Sequence, residues 1–381
     1  MMKKTGVLAL VVCALLVMLS PGLVQASSGP QVLDSSAEVD FPGNIYFNLT
    51  AESDVEITDI RLHYQVDRMA HAQVTSEVYL EFMPAARVKT QWKWDMRRTG
   101  ALPSGSQVRY WWTVIDARDN RIETAPATLQ INDDRYDWRS LTHGKITFHW
   151  YGGGEEFAQE LMSAARQALA RIAESTGVEP GKQVNMYIYA NSNDLRGSMI
   201  FAQEWTGGRA FTQYSTVVIG ISPDNIDWGR GAIAHELTHL VIHQITFSPY
   251  GDLPTWLDEG LAMNSEGELE PAFAQLLKQA TDADKLLSVR SIASPFSALT
   301  EEAGLAYTES HSIVKFLIDT YGSEKMFELL HTFKQGSTYD AALIKVYGFD
   351  MDGLNDLWRK YLKESPVAAI QTGGEKVLAS L

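Results

Sequence analysis

The sequence predicts a multidomain chain: an all-β sandwich over residues 30–135, then an α+β domain over residues 143–364. Three observations predict it. Short alternating runs of apolar and polar residues recur from about residue 44 to residue 131. Beyond them, apolar residues spaced three and four apart begin to dominate, and after residue 228 they are nearly continuous. The 381 residues are 45% hydrophobic and 10% aromatic, which is ordinary for folded protein and ample for two cores.

Formal charge is −15 and the isoelectric point is near 5.0. A chain this acidic is a poor partner for nucleic acid or an anionic membrane surface. Solubility is the plain reading of the charge.

Residues 1–26 read as a signal peptide. Lys3 and Lys4 precede an apolar run from Val7 to Leu19, Pro21 and Gly22 break it, and Val24-Gln25-Ala26 has the small-residue cleavage pattern. The run is short for a spanning helix, so no stable membrane insertion is expected once it is cleaved; an uncleaved anchor is the alternative. These features predict export and a secreted or cell-surface location. Cys13, the only cysteine, lies inside the run. The mature chain would hold no thiol and form no disulfide, so its fold must rest on its core.

Alternating runs at 44–49, 59–66, 76–82, 88–94, 108–116 and 127–131 read as six or seven strands. Pro42-Gly43, Pro103-Ser104-Gly105 and Asp119-Asn120 punctuate them. The pattern suggests an immunoglobulin-like or fibronectin-III-like sandwich, without the cysteine frame of antibody domains. Trp92, Trp94, Tyr110, Trp111 and Trp112 form either a carbohydrate-binding face or, as is commoner for strand aromatics, the core. Residues 132–138 are polar and read as a linker.

The second domain opens with a strand at 145–151, a helix over 155–175 closed by Gly177 and Pro180, and a strand at 185–189. A helix capped by the Ser192-Asn193-Asp194 stretch is expected to reach about residue 203. Two strands follow, near 209–213 and 216–221. Gly152-Gly153-Gly154 lacks the lysine and hydroxyl of a phosphate loop and reads as a turn. Helices are expected at 228–247, 254–265, 271–281, 304–321, 323–335, 338–347 and 351–363, and residues 365–381 form a flexible tail.

The helix at 228–247 carries His235-Glu236-Leu237-Thr238-His239. Residues four apart share a helix face, so His235 and His239 can aim at one ion. Glu236 is then placed to act on a water at the metal rather than to bind the metal. Pro254-Thr255-Trp256-Leu257-Asp258-Glu259-Gly260-Leu261-Ala262 lies one loop further on and can return Glu259 to the same ion. Two histidines, one carboxylate and an open fourth position describe a catalytic zinc (Zn2+) site, not a closed structural one. His243 continues the series, but the helix rises about 6 Å over four residues, so it cannot reach that ion and reads as structural.

The two stretches resemble the gluzincin metallopeptidases, and more closely the secreted bacterial proteins called peptidase MA-like. The resemblance runs from about residue 145 to residue 362 and is most specific over 231–262. It implies a gluzincin-type domain, His235, His239 and Glu259 as zinc ligands, Glu236 as general base, and a peptide or protein substrate. A tyrosine near Tyr307 resembles the family's oxyanion donor. Tyr307 is the first choice for that role and His311, one turn on, the second; the alternative is that Tyr307 packs with its hydroxyl satisfied elsewhere. One position departs from the thermolysin-like pattern. Met263 stands where an acidic residue, four after the third ligand, would orient a ligand histidine. The resemblance also implies that substrate adds as a strand near Gly207–Gln213; otherwise Gly207-Gly208 is only a turn.

The resulting expectation is an extracytoplasmic zinc metallopeptidase. The alternative is a catalytically silent surface binding or adhesion protein on the same fold. Retention of Glu236 favours the enzyme.

Overall fold

The computed structural model describes residues 29–202, 207–296 and 300–364. The expected signal peptide and the expected flexible tail lie outside the described residues.

Seven strands form the first sheet: β1 (Gln31–Asp40), β2 (Asn44–Val66), β3 (Ser76–Tyr79), β4 (Ala85–Asp95), β5 (Gln107–Asp116), β6 (Arg121–Glu123) and β7 (Ala127–Gln130). The 23 residues of β2 organise it. Its first half pairs antiparallel with β1 and β4, its second half with β3 and β5. A register break between Glu52 and Ile57 against β4 separates the halves. The sequence pattern suggests two strands here because residues 53–56 are partly or fully exposed and carry no apolar alternation. Side chains from both halves share one core. Phe47 on the first lies 5.1 Å, edge-on, from Tyr110 on the second.

Alternation along β5 places Tyr110 and Trp112 inside this core and turns Trp111 to the opposite face, stacked at 5.3 Å on His63. Trp94 is buried and Trp92 half-buried in the same cluster, so these aromatics are core. β1 and β6 carry no strand signal in the sequence. Polar, largely exposed β1 is a sheet edge, and β6 has three residues.

The second sheet has the order β11-β12-β10-β9-β8, with β8 (Arg139–His143), β9 (Ile146–Trp150), β10 (Val184–Tyr189), β11 (Gly208–Phe211) and β12 (Thr216–Gly220). The central three are parallel, and both edge strands run antiparallel to their neighbours. Residues 132–138 pack against this sheet. Buried Asp133 accepts two bonds of 2.6 Å from Arg135 and one of 2.9 Å from the Tyr189 hydroxyl. Trp138 donates to the Asp133 carbonyl and stands edge-on to Tyr187 and Tyr189. Within this stretch Asp133 is buried and bonded, while Asn132, Asp134, Arg135 and Asp137 are exposed, as the polar pattern suggests.

The helices are α1 (Glu155–Thr176), α2 (Ser192–Gly197), α3 (Ile226–Thr246), α4 (Thr255–Glu266), α5 (Pro271–Asp282), α6 (Thr300–Tyr321), α7 (Ser323–Lys334), α8 (Tyr339–Tyr347) and α9 (Met351–Glu364). α2 stops well before residue 203, where the Ser198 amide and hydroxyl both turn back to the Leu195 carbonyl. α1 is the crossover between parallel β9 and β10. α3 buries Ile233, Leu237, Leu240, Val241 and Ile242, residues from more than one of its faces, as a helix inside a core does. It packs on α1 and α4, and α4 packs on α6. The last contact is close: at Gly260 an added Cβ would collide with the Ser310 carbonyl and the Val314 side chain.

Candidate metal centre

α3 places His235 and His239 one turn apart with ring centroids 4.8 Å from each other. α4 crosses so that Glu259 faces both. Glu259 Oε2 lies 3.2 Å from His235 Nε2 and 3.5 Å from His239 Nε2. One donor atom from each of the three residues falls within 4.8 Å of the others.

What orients the rings is visible only in three dimensions. His235 Nδ1 meets Glu266 Oε1 at 2.8 Å, and His239 Nδ1 meets Asp258 Oδ1 at 3.0 Å. When such a ring is neutral, donating from Nδ1 to a carboxylate leaves its lone pair on Nε2, here the atom turned to Glu259. The second oxygen of Asp258 meets His243 Nε2 at 3.0 Å, so the third histidine of the series braces the carboxylate that braces the second. Sequence reasoning missed Asp258 and Glu266. Their signals are adjacency to Glu259 and a spacing of seven from it, two turns along the same face, so Glu266 supplies what Met263 does not.

The electrostatics follow. Burial lowers the His235 pKa, but the Glu259 and Glu266 carboxylates outweigh it and raise it to about 9. Burial also opposes charge on His239, yet Asp258 and Glu259 hold its pKa well above the ordinary value. Burial pushes both partner carboxyls up, but the imidazoles win: Asp258 is held far below the carboxylate range and Glu259 at about 2. All of this favours an anionic carboxylate at 259. Its Oε2 is buried and has no hydrogen-bond partner among the described residues, a costly state that a cation would relieve. Two imidazole nitrogens and one carboxylate oxygen, that same Oε2, fit a zinc ion with a fourth position left open.

Glu236 lies half-buried beside this group. Burial raises its pKa, against the nearby imidazoles and a bond from the Ala210 amide. Gly208 backs onto it, since a Cβ there would stand 3.0 Å from Glu236 Oε1. The Tyr307 ring lies 6.5 Å from that of His235, edge-on to Phe296. Burial, then the charges of Glu259, Glu236 and Asp258, drive its hydroxyl pKa up, so it holds its proton. His311 is placed differently. It bonds the Gly267 backbone near Glu266 and Glu268, and burial lowers its pKa. The structure thus gathers His235, Glu236, His239, Glu259 and Tyr307, and sets His311 behind Glu266.

β11 is the edge strand beside Glu236. The Gly220 amide donates to the Gly207 carbonyl at 3.0 Å, so residues 207, 209 and 211 bond inward to β12. Gly208 and Ala210 therefore turn their backbone groups to the open side.

Residues 164–364 match the family described as the peptidase MA superfamily. No curated protein matches the chain. Among solved structures, the chain is similar to wild-type OgpA from Akkermansia muciniphila, with 14% identity, a TM-score of 0.22, and coverage of 29% of this chain and 30% of that one. It is similar to Legionella pneumophila aminopeptidase A in complex with aspartic acid, with 10% identity, a TM-score of 0.40, and coverage of 87% of this chain and 50% of that one. A carbohydrate-binding module family 56 β-1,3-glucan binding domain gives 20% identity and a TM-score of 0.17 over 26% of this chain and 96% of its own. The chain therefore spans under a third of the length of OgpA and half that of the aminopeptidase. The family match takes in more than half of the chain, including α3, α4 and every group gathered at the candidate centre: the chain belongs to the peptidase MA superfamily.

Proposed function

We propose that this protein is a zinc-dependent peptidase acting outside the cytoplasm. The observation that carries the reading is the convergence of His235, His239 and Glu259, both rings turned inward by carboxylates, around a buried oxygen that lacks a partner. When bound, the ion would polarise the scissile carbonyl and acidify a water. Glu236 takes the proton from that water and passes it to the leaving amine; burial lifts its pKa toward the working range of a general base. Tyr307 keeps its hydroxyl proton and donates it as a hydrogen bond to the developing oxyanion. Asp258 and Glu266 fix the imidazoles. His311, behind Glu266, steadies that carboxylate's loop rather than meeting substrate. A peptide strand pairs with the open side of β11 at the Gly208 backbone and the Ala210 carbonyl, the Ala210 amide being held by Glu236.

The remaining assignments belong to the same proposal. Residues 1–26 direct export, the N-terminal region of 30–135 is a sandwich of immunoglobulin or fibronectin-III type, and 143–364 is the peptidase domain. The acidic charge speaks against nucleic acid as a partner. No helix of the described residues is long and apolar enough to cross a membrane. The test is metal content and casein cleavage by the purified mature chain beside Glu236→Gln. One zinc per chain with cleavage abolished in the variant supports the reading. Equal cleavage by the two proteins removes Glu236 as the base, and no cleavage by the wild type returns the protein to a binding role.

A further inference from the structure

A groove of about 650 Å³ opens where the two sheets meet, lined from the first by Tyr64, Arg68, Trp94 and Arg97 and from the second by Arg209 and Phe211. Its lining holds three guanidinium groups and no carboxylate among the described residues, in a chain whose formal charge is −15. Arg97 is engaged by Asp95 at 2.7 Å. Arg209 lies over the Phe211 ring at 5.0 Å, and Arg68 approaches Tyr214. Among the described residues neither Arg68 nor Arg209 has a carboxylate in salt-bridge range. Low-dielectric walls and charge of one sign make such a cleft attract anions.

The groove belongs to the same strand that borders the candidate centre. Side chains alternate along β11. Gly208 faces Glu236, as the collision at its Cβ shows, so Arg209 and Phe211 point to the other face, into the groove. A peptide paired on the open edge of β11 alternates likewise, sending every second side chain toward Arg209, Arg68 and Arg97. We propose that this groove reads substrate sequence, selecting acidic residues at alternate positions of a peptide paired on β11. The proposal rests on the peptidase reading. A peptide is favoured over an acidic glycan because the groove continues the open edge of β11, where backbone pairing would fix which side chains enter it, and a glycan has no such register.

The test compares three quenched-fluorescence peptides of one length, carrying Glu, Gln or Lys at alternate positions, on the wild type and an Arg68→Gln, Arg209→Gln double variant. The wild type is expected to prefer Glu over Gln in kcat/KM by roughly tenfold at low salt, with the preference shrinking as salt rises. In the double variant the ratio falls to about one. Equal kcat/KM for the Glu and Gln peptides in the wild type overturns the groove while leaving a peptidase. Anisotropy of the labelled Glu peptide on Glu236→Gln separates the two readings. Binding that the arginine substitutions abolish, with no cleavage of any peptide by the wild type, keeps the groove and removes the peptidase. Arginine-dependent binding of a sialylated oligosaccharide but not of the Glu peptide also overturns the proposal.

Discussion

Around Phe47 in the first sheet, the buried side chains are Ile45, Leu49, Leu62, Tyr110 and Trp112; the buried carboxylate nearby, Asp116, is satisfied by Ser53, Asn120 and the Arg118 amide. Around His239 the half-buried side chains include Glu236, Asp258 and Glu259, the last two against imidazoles, with one buried carboxylate oxygen lacking a hydrogen bond. The first region uses burial for cohesion alone. The second sets a charged cluster at the margin of an equally apolar core, so that the charges are held against one another and reach water only in part. Cohesion and pre-set electrostatics are thus spatially divided, and each side of the division can be attacked separately.

The largest effect is expected at the charged side. Glu236→Gln should lower kcat by roughly a thousandfold, within the range of a lost acid–base group, while elemental analysis finds the zinc content unchanged. Loss of zinc together with activity would make Glu236 a ligand instead.

On the apolar side, Phe47→Ala should cost about 3–5 kcal/mol, seen by calorimetry as earlier melting of the β-rich region. Zinc stoichiometry should survive at temperatures below that transition. Metal loss in step with it would show that the two regions do not divide the work.

Glu309 sharpens the comparison through pH. It is buried under the helices, accepts one bond from the Leu287 amide at 2.9 Å, and burial pushes its pKa up to about 8. The unfolded carboxyl titrates near 4.5, so the fold holds an extra proton between there and about pH 8. Its stabilising contribution is complete below the unfolded value and is lost as pH rises through about 8. Glu309→Gln should therefore stabilise the second region at pH 8 by on the order of a few kcal/mol and change little at pH 4. Urea melts at both pH values check it; equal shifts at the two would refute the assignment.

The smallest effect is expected at Asp258→Asn. Its carboxylate reaches both His239 and His243, and removing such a partner weakens zinc by about 10- to 100-fold. Competition with a chelator measures it. Unchanged affinity would leave Asp258 as packing.

Much of this was legible in the sequence. Helix spacing locates α3 to α9 within a few residues, and His235, Glu236, His239 and Glu259 sit at separations that only need helices and one loop to bring them together. Asp258 and Glu266 were not legible as bracing groups, because nothing in a run of Trp-Leu-Asp-Glu says which carboxylate turns inward. β1 and β8 escaped because edge strands need no apolar alternation. Arg68, Arg97 and Arg209 are far apart in the chain and meet only when the two sheets do.

The close seat of Gly260 against the Ser310 carbonyl ties these threads to motion. Glu259 precedes that glycine on α4, and Tyr307 lies one turn before Ser310 on α6. With no side chain between them, the two helices have no room to slide independently. A fluctuation that lifts α6 carries the tyrosine away and loosens the carboxylate in the same event. Amide exchange along α4 and α6 should therefore report a single opening, and the time the centre spends intact is set by how often that one joint parts.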